Sequence, residues 1–102
     1  MKIAICDDQR KDSEYISAMV RAWAEERALP VSMERFPSAE AFLFQYEERK
    51  DWDLLLLDIE MAQMDGVSLA KAIRQDNEAV QIVFITGYSE YIAEGASSST
   101  TP

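Results

Sequence analysis

The distribution of apolar and polar residues along the chain predicts four β-strands. Three short segments are largely apolar, which is typical of strands that are buried on both faces of a sheet. Another segment alternates apolar and polar residues, so one of its faces meets water and it belongs near a sheet edge. In chain order the predicted strands are 2–6, the alternating segment 31–36, 52–58 and 80–85.

Between the first two strands, apolar residues recur at a longer spacing, which predicts an amphipathic helix from about residue 10 to residue 28. Apolar side chains recur there every three or four positions, with charged residues between them. This apolar stripe consists of Ile16, Met19, Val20 and Trp23. We expect its Met and Trp to be core residues rather than ligands. Asp12 and Glu14 place negative charge in the first turn, which suits the amino end of a helix, and Pro30 stops the helix.

Two further helices follow the second and third strands. Ser38 is a suitable N-cap for a helix that extends to about residue 50. The residues through which this helix packs are Phe42, Leu43 and Tyr46. Another helix is predicted at 66–75, after a turn, and one or two helical turns are predicted within 88–94. Residues 97–102 form a low-complexity tail without core-forming content.

The alternation of strands and helices predicts an α/β fold, a doubly wound parallel sheet with helices on both faces. The alternating second strand fits an edge, and the first and third strands fit the interior, which gives the strand order 2-1-3-4. Adjacent parallel strands end at the same edge of such a sheet, where a topological switch point forms a crevice. Asp7 and Asp8 follow the first strand and Asp58 ends the third, so this topology brings the three carboxylates together.

The length, net charge and residue content of the chain exclude several classes of protein and kinds of site. The chain has 102 residues, enough for one domain with a core, and a net charge of −9 that disfavours binding to nucleic acid. Its one cysteine, Cys6, cannot form an internal disulfide, and the lack of histidine excludes histidine-based catalysis and metal ligation. The sequence shows no signal peptide and no apolar segment of about 20 residues that would span a membrane. We therefore expect a soluble, cytoplasmic protein.

Each acidic position has an ordinary explanation when it is taken alone. Asp58 could cap a loop at the end of a strand, and Asp7 with Asp8 could form a solvated turn before the first helix. Together, three carboxylates without a fixed counter-charge repel one another, and a hard divalent cation relieves that repulsion. Mg2+ suits a site with few carboxylates, a backbone carbonyl and several waters. Thr86 adds a hydroxyl at the end of the fourth strand, and this combination suggests phosphoryl chemistry.

The joint spacing of these residues resembles that of two-component response-regulator receiver domains. The resemblance covers about residues 2–94 and implies the flavodoxin-like receiver fold. The motifs that carry it are Asp7-Asp8, Asp58 after four leucines, Met61, Met64-Asp65-Gly66 and Thr86. Two segments also resemble receivers that precede LytTR-type DNA-binding domains. They are Arg35-Phe36-Pro37-Ser38-Ala39-Glu40 and Thr86-Gly87-Tyr88.

The resemblance implies a role for each residue of the site. Asp58 is expected to accept a phosphoryl group from a sensor histidine kinase, and Thr86 is expected to contact that group and act as a switch. Mg2+ is the expected cofactor, held by Asp7, Asp8, Asp58 and the backbone carbonyl of Glu60. Such a receiver catalyses only its own phosphorylation and dephosphorylation and is not otherwise an enzyme. Its partners are the kinase and a DNA-binding output domain; it binds neither nucleic acid nor a membrane directly.

The sequence departs from the family pattern in two respects. Ala62 stands where proline is usual, and the sequence stops before the fifth strand and last helices of a complete receiver. We therefore expect a C-terminally truncated receiver at 1–96 and a linker-like or tag-like tail at 97–102. An unpaired fourth strand favours a homodimer. Two alternatives stay open: a non-switching protein-interaction scaffold of the same fold, and a small Mg2+-dependent phosphatase.

Overall fold

The computed structural model describes residues 1–85, in which strands and helices alternate along the chain. Thr86, the helical turns predicted within 88–94 and the tail predicted at 97–102 lie outside the described residues. The elements are β1 (Lys2–Cys6), α1 (Arg10–Glu26), β2 (Ser32–Phe36), α2 (Ala39–Tyr46), β3 (Leu54–Asp58), α3 (Gly66–Arg74) and β4 (Gln81–Ile85).

The strands form a parallel sheet in the order β2-β1-β3-β4. β1 lies between β2 and β3, and its Ile5 pairs with Arg35 on one side and with Leu56 on the other. β3 also pairs with β4, where Leu57 lies opposite Phe84. The predicted strand order is confirmed, and β2 and β4 form the two edges of the sheet among the described residues.

Side-chain alternation along β1 and β3 divides the core into two layers, one on each face of the sheet. The larger layer lies beneath α2 and α3. Its fully buried members include Ala4, Cys6, Phe42, Leu55, Leu57, Leu69 and Ile73. The smaller layer lies beneath α1. It contains Ile3, Ile5 and Leu56, with Ile16 and Val20 packed against them. Helices cover both faces, which confirms the doubly wound arrangement.

α1 buries only part of its predicted apolar stripe. Ala24 is buried, and Ile16 and Val20 are partly buried, at a spacing of four residues. Met19 is 52% exposed and Trp23 is 42% exposed, so the prediction that both are core residues was wrong. An α-helix advances about 100° per residue, so Met19 and Trp23 are rotated by about 100° and about 60° from the mean direction of Ile16, Val20 and Ala24. That rotation is enough to place them at the solvent-facing margin of the helix.

The helices begin close to their predicted starts, but α1 and α2 end before their predicted boundaries. Ala28 adopts a left-handed conformation, with φ 51°, and the Leu29 N–H donates to the Ala24 carbonyl oxygen at 2.9 Å. This is a Schellman motif, which closes α1 before Pro30 is reached. Ser38 caps α2 as predicted, because its Oγ accepts from the Ala41 N–H at 3.0 Å. Among the helices described, none is long and apolar enough to cross a membrane.

Candidate functional site

β1 and β3 end side by side at the carboxyl edge of the sheet. Cys6 and Leu57, which precede Asp7 and Asp58, are register partners, so the two carboxylates are neighbours. Asp8 follows at the same edge. One carboxylate oxygen from each of the three aspartates lies within 4.8 Å of the other two. The structure therefore brings together the three residues that the topology predicted would meet.

Asp7 is the most deeply buried member of this aspartate cluster, with 2% of its surface exposed. Its Oδ1 accepts from the Gln9 N–H at 2.9 Å, and its own N–H donates to the Phe36 carbonyl oxygen at 3.1 Å. Its Oδ2 is buried and has no hydrogen-bond partner among the described residues. Burial raises the pKa of the Asp7 carboxyl above its ordinary value, and the negative charges of Asp12 and Asp8 also raise it.

Asp58 ends β3 and is buried, with 6% of its surface exposed. Burial is the largest cause that raises the pKa of its carboxyl to about 7, and the negative charge of Asp7 is the next. The Glu60 N–H donates to Asp58 Oδ1 at 3.4 Å and opposes this rise in pKa. Without a cation, Asp58 therefore keeps its proton to a higher pH than an ordinary aspartate does, and a bound divalent cation would favour its charged form.

A cavity of about 290 Å³ opens at the aspartate cluster. Four acidic residues line it, namely Asp8, Asp12, Asp58 and Glu60. The other lining residues are Gln9, Met61 and Ala62. Within residues 1–85 the lining contains no lysine or arginine, and the nearby Arg10 instead pairs with Glu14, with Nε and Oε2 3.1 Å apart. The route to Asp58 is therefore negatively charged.

Backbone contacts hold the loop between β3 and α3 close to Asp58. Gly66, the first residue of α3, donates its N–H to the Ile59 carbonyl oxygen at 3.0 Å. A Cβ at this position would collide with the Asp58 carbonyl oxygen and lie 3.0 Å from the carbonyl carbon. Asp65 caps α3 by accepting from the Ser68 N–H at 2.7 Å. Glycine is therefore needed here for close approach of two backbone segments, in addition to the turn expected from the sequence.

Residues 3–98 match the family model described as "Response regulator receiver domain". The chain belongs to this family. Relatives of this receiver include the transcriptional regulatory protein ZraR of Escherichia coli O157:H7, which is 33% identical over 87 residues. The transcriptional regulatory protein NatR of Bacillus subtilis is 32% identical over 91 residues. These alignments cover 85% and 89% of this chain, but the chain spans only 18% and 37% of the two relatives.

A solved structure with a similar fold is that of the response regulator protein TrrA from Thermotoga maritima, in complex with Mg2+-BeF. It superimposes on this receiver with a TM-score of 0.64 at 25% identity, and the match covers 91% of this chain and 75% of that one. The similarity agrees with the parallel sheet and its helices, and it supports the flavodoxin-like receiver fold predicted from the sequence.

The donor atoms at the sheet edge fit a hard divalent cation. Mg2+ prefers oxygen ligands and needs few carboxylates when water completes its coordination. Asp7 Oδ2 is the most informative atom, since a buried carboxylate oxygen without a partner is costly unless a cation or water satisfies it. Receiver domains typically bind Mg2+ in an acidic pocket, and the residues present in this receiver are suited to do so.

The sequence predicted some of the remaining site residues and missed others. Glu60 lines the cavity, but its backbone carbonyl as a ligand stays a prediction, and Thr86 lies outside the described residues. Asp12 was assigned only to the first turn of a helix, yet it lines the cavity. Its place in the first turn of a helix that begins directly after Asp7 and Asp8 was the available signal. The contact of Gly66 with the Asp58 backbone had no signal in the local sequence beyond the glycine itself.

Proposed function

We propose that Asp58 is the phosphoacceptor of this receiver and takes its phosphoryl group from a phosphohistidine of a sensor histidine kinase. In this transfer a carboxylate oxygen of Asp58 forms the bond to phosphorus, and the phosphorus–nitrogen bond of the donor breaks. The imidazole nitrogen keeps the bonding electron pair, and the ring takes up a proton. The 102 residues contain no histidine, so the phosphohistidine lies outside this sequence.

The observation that carries this proposal is the buried cluster of Asp7, Asp8 and Asp58, with Asp7 Oδ2 lacking a partner among the described residues. Of the three, Asp58 ends the central strand β3 and also lines the cavity through which a donor would approach. Asp7 is more deeply buried and does not line that cavity. The geometry therefore supports Asp58 as the nucleophile and its neighbours as supporting groups.

Asp8 is the proposed direct ligand of Mg2+, with Asp7 acting largely through water. Asp58 and the Glu60 carbonyl oxygen complete the protein ligands. A bound Mg2+ would neutralise negative charge on the phosphoryl group. The chain's own contribution is to hold Asp58 in place through the β3 register and the Gly66 contact. Thr86 is the proposed hydroxyl that contacts the phosphoryl group and switches on phosphorylation.

The names of the relatives support a proposal about the output domain that this receiver controls. ZraR and NatR carry names of transcriptional regulators, and this chain matches only a part of each. We propose that the receiver, at residues 1–96, controls a DNA-binding output domain in the cytoplasm, and the LytTR type stays a prediction. Its only catalysis would be its own phosphorylation and dephosphorylation. The alternative is a scaffold of the same fold that binds Mg2+ and partners but takes no phosphoryl group.

Phosphorylation with a small donor tests the function directly. The intact chain is incubated with acetyl phosphate and Mg2+, and its mass is measured. We expect the mass to rise by one phosphoryl group on the wild type and on Asp51→Asn, an exposed aspartate that pairs with Lys2 at the end of β1 opposite the site. Asp58→Asn should take no label. Labelling of Asp58→Asn would refute the assignment, whereas Mg2+ binding without any labelling of the wild type would favour the scaffold.

The outer edge of β4 supports a further proposal, that the chain forms a homodimer. Val83 and Phe84 are 45% and 44% exposed, and β3 is the only strand of residues 1–85 that pairs with β4. Unpaired backbone groups beside exposed apolar side chains favour pairing with another chain. A second copy that meets the same edge would give a symmetric dimer.

A further inference from the structure

Asp12 is a charged group at the site to which the proposed reaction gives no role. It lies in the first turn of α1 and lines the same cavity as Asp8 and Asp58. Its side chain is half-buried, and it takes part in none of the ion pairs or side-chain hydrogen bonds found within residues 1–85. Its carboxylate therefore borders the same space as the carboxylates of Asp8 and Asp58.

Glu14, two residues further along α1, provides a contrast. Its Oε2 lies 3.1 Å from Arg10 Nε and 3.7 Å from Arg35 Nη1, and Glu14 is not among the lining residues of the cavity. Arg10 and Arg35 therefore pair with Glu14, whereas Lys11, the other cation in the first turn of α1, is exposed and forms no ion pair among residues 1–85. Asp12 faces the cavity with no described counter-charge, although both residues carry the same formal charge on the same helix.

We propose that Asp12 is an electrostatic specificity residue of the phosphorylation site: its charge strengthens cation capture by the aspartate cluster and slows the approach of free anionic phosphodonors to Asp58. The proposal rests on the function proposed above. A single uncompensated charge beside a small cavity attracts a cation and repels an anion through the same interaction. When Asp58 is ionised, the buried Asp7 Oδ2 has no hydrogen-bond donor among the described residues, and this independently favours a cation at the cluster.

Three variants separate this role from a structural one. Asp12→Asn removes the charge, Asp12→Glu retains it, and Glu14→Gln removes a charge of the same helix that is already paired. Mg2+ affinity is measured by amide chemical-shift titration. The rate of labelling by acetyl phosphate is measured at an Mg2+ concentration that saturates each variant, and thermal unfolding checks that each variant is folded.

We expect Asp12→Asn to bind Mg2+ about three- to tenfold more weakly and to be labelled about two- to fivefold faster. Asp12→Glu should restore both values towards wild type, and Glu14→Gln should change both much less, because Glu14 does not line the cavity. Higher salt should reduce both differences, because the interaction is screened. Weaker Mg2+ binding together with faster labelling would identify an electrostatic role for Asp12. A loss of structure would instead weaken binding and slow labelling together.

An unchanged Mg2+ affinity in Asp12→Asn would overturn the proposal. So would a joint loss of Mg2+ affinity, labelling rate and thermal stability, because that combination marks a structural residue. If the wild type binds Mg2+ but takes no label, the proposed phosphoacceptor function fails. In that case the Mg2+ titration, which does not depend on phosphoryl transfer, decides the role of Asp12 by itself.

Discussion

Replacement of Asp58 by asparagine should stabilise the cation-free protein at neutral pH, although it removes the proposed phosphoacceptor. Asp58 is buried beside Asp7, and the pKa of its carboxyl is raised from 3.8 to about 7. The folded state therefore keeps this proton at pH values where the unfolded chain has released it. Asparagine has nearly the same shape and carries no charge that folding must bury.

The magnitude follows from the shift in pKa. The difference between about 7 and 3.8 is about three pKa units, and each unit corresponds to about 1.4 kcal/mol, so ionised Asp58 costs about 4 kcal/mol. Because the folded pKa is raised, stability falls as pH rises from about 4 to about 7. The advantage of Asp58→Asn should thus grow from less than about 1 kcal/mol at pH 4 to at most about 4 kcal/mol at pH 7. The new amide N–H groups also need partners, which reduces the gain.

Urea denaturation in EDTA, at several pH values between about 4 and 7, measures this free energy of unfolding. Asp76→Asn is a control of opposite sign. Asp76 accepts hydrogen bonds from Lys50 and Tyr46, which lower the pKa of its carboxyl. Its loss should therefore destabilise the protein at neutral pH and matter less as the carboxyl is protonated in acid. Excess Mg2+ should cancel the advantage of Asp58→Asn, because the cation binds the wild-type cluster more tightly.

The reasoning fails if Asp58→Asn is less stable than the wild type at pH 7 in EDTA. It also fails if the stability difference between the two proteins does not change with pH. Either result would mean that the Asp58 carboxylate is stabilised in the folded state without a cation. The lack of a partner for Asp7 Oδ2 could then no longer be taken as support for a cation site.

Two more outcomes are expected. Gly66→Ala should destabilise the protein by about 1–3 kcal/mol and weaken Mg2+ binding, because the new methyl group collides with the Asp58 backbone; Val67→Ala, at an exposed position of the same helix, should change both little. Unchanged urea stability of Gly66→Ala would contradict the close contact. Light scattering over a dilution series should show a mass above the 11.6 kDa of one chain, and Val83→Lys at the β4 edge should lower it. A concentration-independent monomer would refute the proposed dimer.

The local sequence was sufficient to predict the sheet and the position of the aspartate cluster. Two apolar segments precede the carboxylates: four leucines before Asp58, and a similar segment before Asp7. Both segments are short enough to be strands and too apolar to be exposed. Parallel strands that alternate with helices must end at one edge, so the two carboxylates could be placed together before any contact was known. The alternating pattern around Met33 likewise predicted that β2 is an edge strand, as observed.

Only the tertiary structure decided which face of each helix is buried. It also decided how strongly burial and neighbouring charges shift the pKa values of the site residues. The periodicity of α1 identifies an apolar stripe, but contact with the sheet determined that Val20 packs inward while Met19 and Trp23 are exposed. The raised pKa of Asp58 depends on burial and on the nearby Asp7, and no local pattern contains either distance. The place of Asp12 in the cavity depends on the same packing. Secondary structure follows from neighbours along the chain, whereas solvation and charge–charge energies depend on atoms that are distant in sequence.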